Sequence, residues 1–340
     1  MPGTDTLRAL VGFGLNRTVP GLMSSIYPER NRSAWIIAQR PSRASLDPFT
    51  PNGFFLEEEL SASHRLVSSA VILLTNKECP WRCLMCDLWK ATLTRSVPPG
   101  AIPRQIDYAL SRLPARPEQV KLYNSGSFFD RAAIPLADYP AIAHKVSRAS
   151  HLVVESHPRL IGESALELRD LLGSSLEVAM GLETVHPSVL PRLNKSLTLN
   201  AFAKAAGFLR RHGIAVRAFV LLKPPFLNEA QGLEWAVKSA EFAFASGVEV
   251  LCLIPTRAGN GAVDRLLEAG EFAPPRLPTL ERALEAVLER RQGRVFADTW
   301  NLEQFSACAA CFEQRRQRLH QMNRQQIVPP RIGCRLCGDP

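Results

Sequence analysis

The chain has 340 residues, 46% of them apolar and 21% charged, with 26 prolines, 20 glycines, 8 cysteines and a net charge of +9. That balance excludes a disordered or collagen-like chain, and the length suits one large domain with additions, or two domains. Apolar runs such as residues 70–74 are far too short to span a bilayer, and Met1 to Leu22 lacks the continuous apolar core of a signal peptide, so the expected location is the cytoplasm, with no membrane partner.

The charge is unevenly spread. Residues 1–50 carry 6 basic and 3 acidic side chains, residues 51–275 carry 24 and 22, and residues 276–340 carry 11 and 7. A near-neutral body with basic flanks would attract a polyanion such as nucleic acid, although a solvated surface accounts for the charge equally well.

Residues 1–62 are rich in Arg, Pro and Ser and show no sustained period, which predicts an irregular basic extension. Phe54, Phe55 and Leu56 are expected to dock it on the core, and Glu57, Glu58 and Glu59 read as a solvated acidic run. From residue 63 to 275, short β-rich apolar runs alternate with helical patterns. Strands are predicted at 66–75, 119–124, 151–155, 175–182, 214–222 and 248–254, and helices at 102–113, 136–149, 162–172, 199–212 and 228–246. This βα alternation predicts a parallel sheet with right-handed crossovers. Six units at about 30 residues each give an α/β fold of partial (β/α)6 TIM-type barrel form. Residues 276–340 are read as a C-terminal helix with a small Cys-rich module.

Just after the first of these strands stands Cys79-Pro80-Trp81-Arg82-Cys83-Leu84-Met85-Cys86. Spacings of four and three let one loop present three thiolates to three corners of a cubic iron–sulfur cluster, which ordinarily takes four. With no obvious fourth ligand nearby, one iron stays open, and an open position is where a metal centre does chemistry. A zinc site or a chance cluster of cysteines is the plainer alternative.

This Cys-x-x-x-Cys-x-x-Cys loop after a strand resembles the signature of the radical S-adenosylmethionine (radical SAM) superfamily. The resemblance covers roughly residues 64–275 and implies a [4Fe–4S] cluster on Cys79, Cys83 and Cys86, with S-adenosylmethionine on the open iron. It implies an enzyme needing a one-electron donor protein. Met85 matches the residue that packs near the adenine. The segment Ser125-Gly126-Ser127 stands where the family often has a Gly-Gly-Glu stretch holding the methionine amino group, with only Gly126 matched. Glu155, in Glu155-Ser156-His157-Pro158, is similar to a carboxylate of the elongator-type tRNA-modifying branch. By position Glu183 would bind the cofactor ribose. Lys195 stands in place of the arginine that pairs with the methionine carboxylate, a point charge for a fork.

Three further features complete the chain. Lys223, before Pro224 and Pro225, faces either substrate or solvent, and Cys252 reads as a buried core thiol. Cys308, Cys311, Cys334 and Cys337 form two Cys-x-x-Cys pairs that fit a four-thiolate zinc site or an auxiliary iron–sulfur cluster. Residues 311–335 hold six arginines and one acidic residue, so Arg315, Arg316, Arg318 and Arg324 are candidate phosphate contacts. Over residues 64–340 the chain is similar to the archaeosine synthase radical SAM (beta) subunit family, through residues 79–89, 124–128 and 221–227 and the Cys- and Arg-rich tail. That resemblance implies a tRNA base as substrate and a partner tRNA-modifying subunit. A peptide or small-metabolite substrate, and a non-catalytic zinc-containing nucleic-acid adaptor, are the alternatives.

Overall fold

Near-continuous burial along Leu66–Leu73 and the five strands after it, as in a parallel sheet covered on both faces, builds a sheet whose neighbours follow the chain in order. The computed structural model describes residues 25–337; the first 24 residues of the expected basic extension lie outside the described residues. The strands are β1 (Gly53–Leu60), β2 (Leu66–Leu73), β3 (Gln119–Tyr123), β4 (His151–Glu155), β5 (Ser175–Glu183), β6 (Ala215–Leu222), β7 (Val250–Pro255) and β8 (Arg294–Ala297), hydrogen-bonded in that sequence. β1 runs antiparallel to β2 and every later pair is parallel. The sheet curls into a partial barrel.

The helices are α1 (Arg32–Ala38), α2 (Ala101–Leu110), α3 (Tyr139–Val146), α4 (Glu163–Leu171), α5 (Val189–Arg192), α6 (Leu199–Arg211), α7 (Glu229–Ala245), α8 (Ala262–Glu268), α9 (Leu277–Leu288) and α10 (Ala309–Gln325). Thr198 caps α6 through the Ala201 N–H, and Asn228 with Gln231 forms a capping box on α7. Outward strand residues such as Val120, Leu122, Leu152, Val154, Val178, Val216 and Leu251 meet these helices in one continuous core. No described helix is long and apolar enough to cross a membrane.

The six strands and five helices read from the sequence are all present, but two strands flank them. Within the expected irregular extension, residues 25–62 form α1 and β1. Glu59 is not solvated. Pairing with β2 turns Glu57 and Glu59 into the barrel, where Lys121 Nζ donates to both at 2.6 Å, while only Glu58 faces out. Nothing local marks this, since the cations that bind the run come from strands over sixty residues away. β8 extends the sheet past residue 275 with four residues, too few to show a period.

Arg217 of β6 is central to this interior. It is 2% exposed, and donates from Nε to Glu177 at 2.5 Å and from both terminal nitrogens to Glu59 at 2.6 and 2.9 Å. His151 Nε2 and an Arg294 nitrogen stand 3.4 and 4.0 Å from Glu177. Cys252 is half-buried on this face, 3.8 Å from Arg217, and not a member of the main core as expected. The period of two along β7 puts it inside with Arg217.

Candidate active site

The cysteine loop begins where β2 ends. Its foot is fixed by the buried amide of Gln105, which accepts from the Thr75 N–H and donates to the Thr75 carbonyl, both at 2.8 Å. Glu78, one residue before Cys79, receives Arg40 at 2.8 Å, Arg43 at 2.5 Å and Arg82 at 3.3 Å. Burial would raise the Glu78 carboxyl, but these guanidiniums hold it below its usual value. Arg40 and Arg43 also lie over the Trp89 ring, so the segment around α1 is fastened across the loop.

Other strand ends hold the loop backbone. Leu84 N–H donates to Leu193 O at 2.9 Å, Asn194 Nδ2 to Arg82 O at 2.7 Å, and Asn260 Nδ2 to Leu84 O at 2.7 Å and Cys86 O at 3.2 Å. Loops after β5 and β7 thus fix the residues between the thiols. Met85 packs with Val189, Leu193, Leu221 and Leu227. Burial pushes all three thiols up, Cys86 to about 12, and the Lys195 ammonium works against that at Cys79 and Cys83. Such thiols stay protonated until a metal displaces the proton, which suits a cluster held by thiolates.

Around the loop stand the residues singled out from the sequence. Gly126 leaves no spare room, since a Cβ there would lie 3.2 Å from Cys79 Cβ. Ser125 has φ of 53°, turning the chain so that the 124–126 N–H groups face Glu155, with Gly126 N at 3.4 Å from Oε1. Burial pushes Glu155 up to about 7 in spite of those donors. Ser127 Oγ accepts from the His157 N–H at 3.0 Å. Glu183 and Lys195 are joined to each other, 2.5 Å apart and both nearly buried. Burial opposes the Lys195 charge, but Glu183 and the Cys83 and Cys79 thiols outweigh it and hold that ammonium above its usual value.

Two residues that sequence reasoning did not single out complete the site. His157 stacks on Trp81, centroids 3.7 Å apart at 11°, and its Nε2 lies 2.9 Å from Lys195 O. Burial, with Lys195 next, lowers it to about 3, so it stays a neutral platform. Gly181 is the second: a Cβ there would stand 2.2 Å from both Glu183 Oε1 and Lys195 Nζ. Gly181→Ala is therefore expected to displace the Glu183–Lys195 pair while moving the melting temperature little, a split read by a structure of the variant beside thermal denaturation. A loss of folding instead would show the glycine to be needed by the strand alone.

Lys223 is buried and ion-paired with Glu229 at 2.7 Å, so it is not the solvent-facing lysine of the second reading. The four tail cysteines converge. Their sulfurs all lie within 4.8 Å of one another, and among the described residues no other group of three or more His, Cys, Asp or Glu ligands is close enough to share one ion. The three loop thiols do not form such a group. The arginine expectation needs correction. Arg315 and Arg318 are each only 4% exposed and turn inward to Glu281 and Glu285, because the α10 face that carries them packs on α9. Arg316 and Arg324 are on the surface, paired with Glu313 and Glu58.

No protein-family model matches the chain. It is similar to an uncharacterised protein of Methanocaldococcus jannaschii, 23% identical over 256 residues that make 71% of this chain and 70% of that protein. It is also similar to archaeosine synthase subunit beta of Methanosarcina acetivorans, 30% identical over 50% of this chain and 51% of that one. The Thermococcus kodakarensis subunit of the same name is 29% identical over 57% and 62%. The chain thus spans about half to three fifths of the two archaeosine synthase subunits it matches. Among solved structures, the archaeal Elp3 of Methanocaldococcus infernus aligns over 68% of this chain and 64% of that one, at 14% identity and a TM-score of 0.49. The named relatives bear out the radical SAM resemblance carried by the cysteine loop.

Proposed function

We propose that this radical SAM relative cleaves S-adenosylmethionine reductively and uses the result to modify a base in tRNA, in the manner its archaeosine synthase relatives suggest. The observation that carries the reading is the pinned three-thiol loop at the barrel mouth, ringed by Gly126, Glu155, Gly181, Glu183 and Lys195. Strand C-terminal ends are where such barrels place their chemistry. Held by Cys79, Cys83 and Cys86, a [4Fe–4S] cluster would supply the one electron needed for reductive cleavage of S-adenosylmethionine to methionine and an adenosyl radical able to take hydrogen from substrate.

The chain's own residues do the positioning. Cys79, Cys83 and Cys86 would hold three irons and leave the fourth open. Lys195 offers its charge to a carboxylate, and Glu183, released from it, offers oxygens to ribose hydroxyls. Glu155 and the 124–126 backbone line the side nearest Cys79, while Trp81 on His157 and Met85 with its apolar neighbours keep water from the loop. A one-electron donor protein and a partner subunit belong to the same reading. Anaerobic reconstitution with iron and sulfide, followed by dithionite and S-adenosylmethionine, tests it. 5′-Deoxyadenosine is the expected product, and its absence from fully loaded protein overturns the enzyme reading.

The tRNA part has its own test. Exposed ion pairs such as Arg316–Glu313 and Arg324–Glu58 contribute little to stability and can be exchanged for phosphate. tRNA affinity should fall steeply with salt through counterion release. The double variant Arg316→Ala/Arg324→Ala should reduce the slope of log affinity against log salt by about 2. A slope unchanged in the variant removes these arginines from the interface, and a flat slope in the parent removes tRNA.

A further inference from the structure

The C-terminal module sits on the seam of the barrel, and it joins a metal site to that seam. We propose that Cys308, Cys311, Cys334 and Cys337 hold one thiophilic divalent ion, and that this ion, through Arg315 and α10, keeps the open edge between β1 and β8 closed.

The sulfur geometry points to one ion. Cys308 and Cys334 approach to 3.8 Å, as do Cys311 and Cys337, and all four sulfurs lie within 4.8 Å. A tetrahedral ion with metal–sulfur bonds of about 2.3 Å spaces its thiolates about 3.8 Å apart. A four-iron cluster binds one thiolate at each corner and spreads them farther. Four soft thiolates with no oxygen or imidazole among them select a zinc-type ion over magnesium or calcium.

Four thiolates around a dication carry two net negative charges, and a buried countercharge is in place. Arg315, one turn beyond Cys311, donates from Nε to the Cys311 sulfur at 3.3 Å and from a terminal nitrogen to Glu281 of α9 at 2.5 Å. Arg318 continues the row, reaching Glu281 at 3.4 Å, Glu285 at 3.3 Å and the Pro329 and Pro330 carbonyls at 2.8 and 2.9 Å. Arg331 closes it on Glu285 at 3.0 Å. Metal thiolates are commonly oriented by such outer partners. Here the same guanidiniums tie the site to the barrel's own helix and hold the returning segment that carries Cys334 and Cys337.

The other end of α10 grips the sheet. β8 is an edge strand, and its outer N–H and C=O groups need partners. Asn323 accepts from Ala297 N–H at 2.8 Å and donates to Ala297 O at 2.9 Å. Gln326 does the same at Val295, both at 2.7 Å. Arg324, between them, pairs with Glu58 of β1. One helix therefore covers β8 and reaches β1, and the ion fastens its start to the segment that follows its end. Without the ion, that loop regains its freedom and the grip on β8 loosens.

The test does not depend on cleavage of S-adenosylmethionine. A full-length chain with Cys79, Cys83 and Cys86 changed to Ser leaves the tail as the four-thiolate site, and zinc is the probe. We expect one zinc per chain, with X-ray absorption giving a single sulfur shell and no metal–metal vector. Hydrogen exchange of 53–60 and 294–297 should rise at least tenfold on chelation and recover on zinc return. Arg315→Met should weaken zinc binding by about 10- to 100-fold, with Arg315→Lys recovering part of it. Cys334→Ser in the otherwise unaltered, iron-loaded chain should show the same exchange at both strands, which guards against misfolding of the triple variant. An iron–iron vector on iron loading of the tail, or no bound metal, overturns the single ion. Equal exchange with and without zinc overturns the closure, and unchanged affinity in Arg315→Met removes Arg315 from it.

Discussion

Cys83→Ala is expected to reduce 5′-deoxyadenosine formation by reconstituted protein to background, with loss of the iron retained at the barrel mouth. Cys83 is the middle thiol of the loop, and its neighbours on both sides are fixed by carbonyl contacts from Asn194 and Asn260. No other described cysteine belongs to this loop, so the two remaining thiolates have no substitute. Stability should change little, because the loop is held by backbone carbonyls and by Glu78 and not by the thiol. The measurements are iron and sulfide content, product yield and the melting temperature, with Cys252→Ser as control. Cleavage that persists in Cys83→Ala means the cluster is held elsewhere.

The parts of this molecule legible in the sequence are those with local signals. Six parallel strands show as apolar runs of strand length, and the helices between them show a helical period. The three loop cysteines announce themselves because their spacing lies within eight residues. The tail cysteines do so as two short pairs. What the sequence hides is pairing across distance. Glu59 reads as part of a solvated run and Arg217, 158 residues away, carries no local signal at all, yet the two are buried together as an ion pair. Arg315 and Arg318 look like a nucleic-acid grip because their glutamates lie on another helix. β8 has too few residues for a pattern and exists because β7 and α10 hold its two edges. Gly181 looks like an ordinary strand glycine until the Glu183–Lys195 pair is seen to fill the space a side chain would take.

Arg217→Met is expected to destabilise the fold by about 3–5 kcal/mol, since removing one partner leaves buried carboxylates without their cation. In a domain of this size that corresponds to a fall in melting temperature of about 5–10 °C. Glu177 bears the larger loss: its remaining partners are His151 and Arg294 at 3.4 and 4.0 Å, whereas Glu59 keeps Lys121 at 2.6 Å. The pH dependence gives the sharper test. Burial works to raise Glu177, but Arg217 and then His151 hold it down at about 2, and Glu59 is likewise held well below its usual range. Carboxyls with depressed folded values stabilise the protein fully above their unfolded value of about 4.3. That contribution is lost as pH falls toward 2 in the parent, because the unfolded chain then binds more protons. With Arg217 gone, burial dominates at Glu177 and raises it, so the folded state binds the extra proton and the slope reverses. Relative to the parent, in which the terms from His157 and Glu155 are the same, Arg217→Met should therefore gain stability as pH falls from 7 toward 5. Adding Glu177→Gln removes the titrating group, and should abolish the reversed slope and recover part of the lost stability. A variant whose melting temperature follows the parent's pH profile would show that the carboxylates find other partners, and that Arg217 fills space without balancing charge.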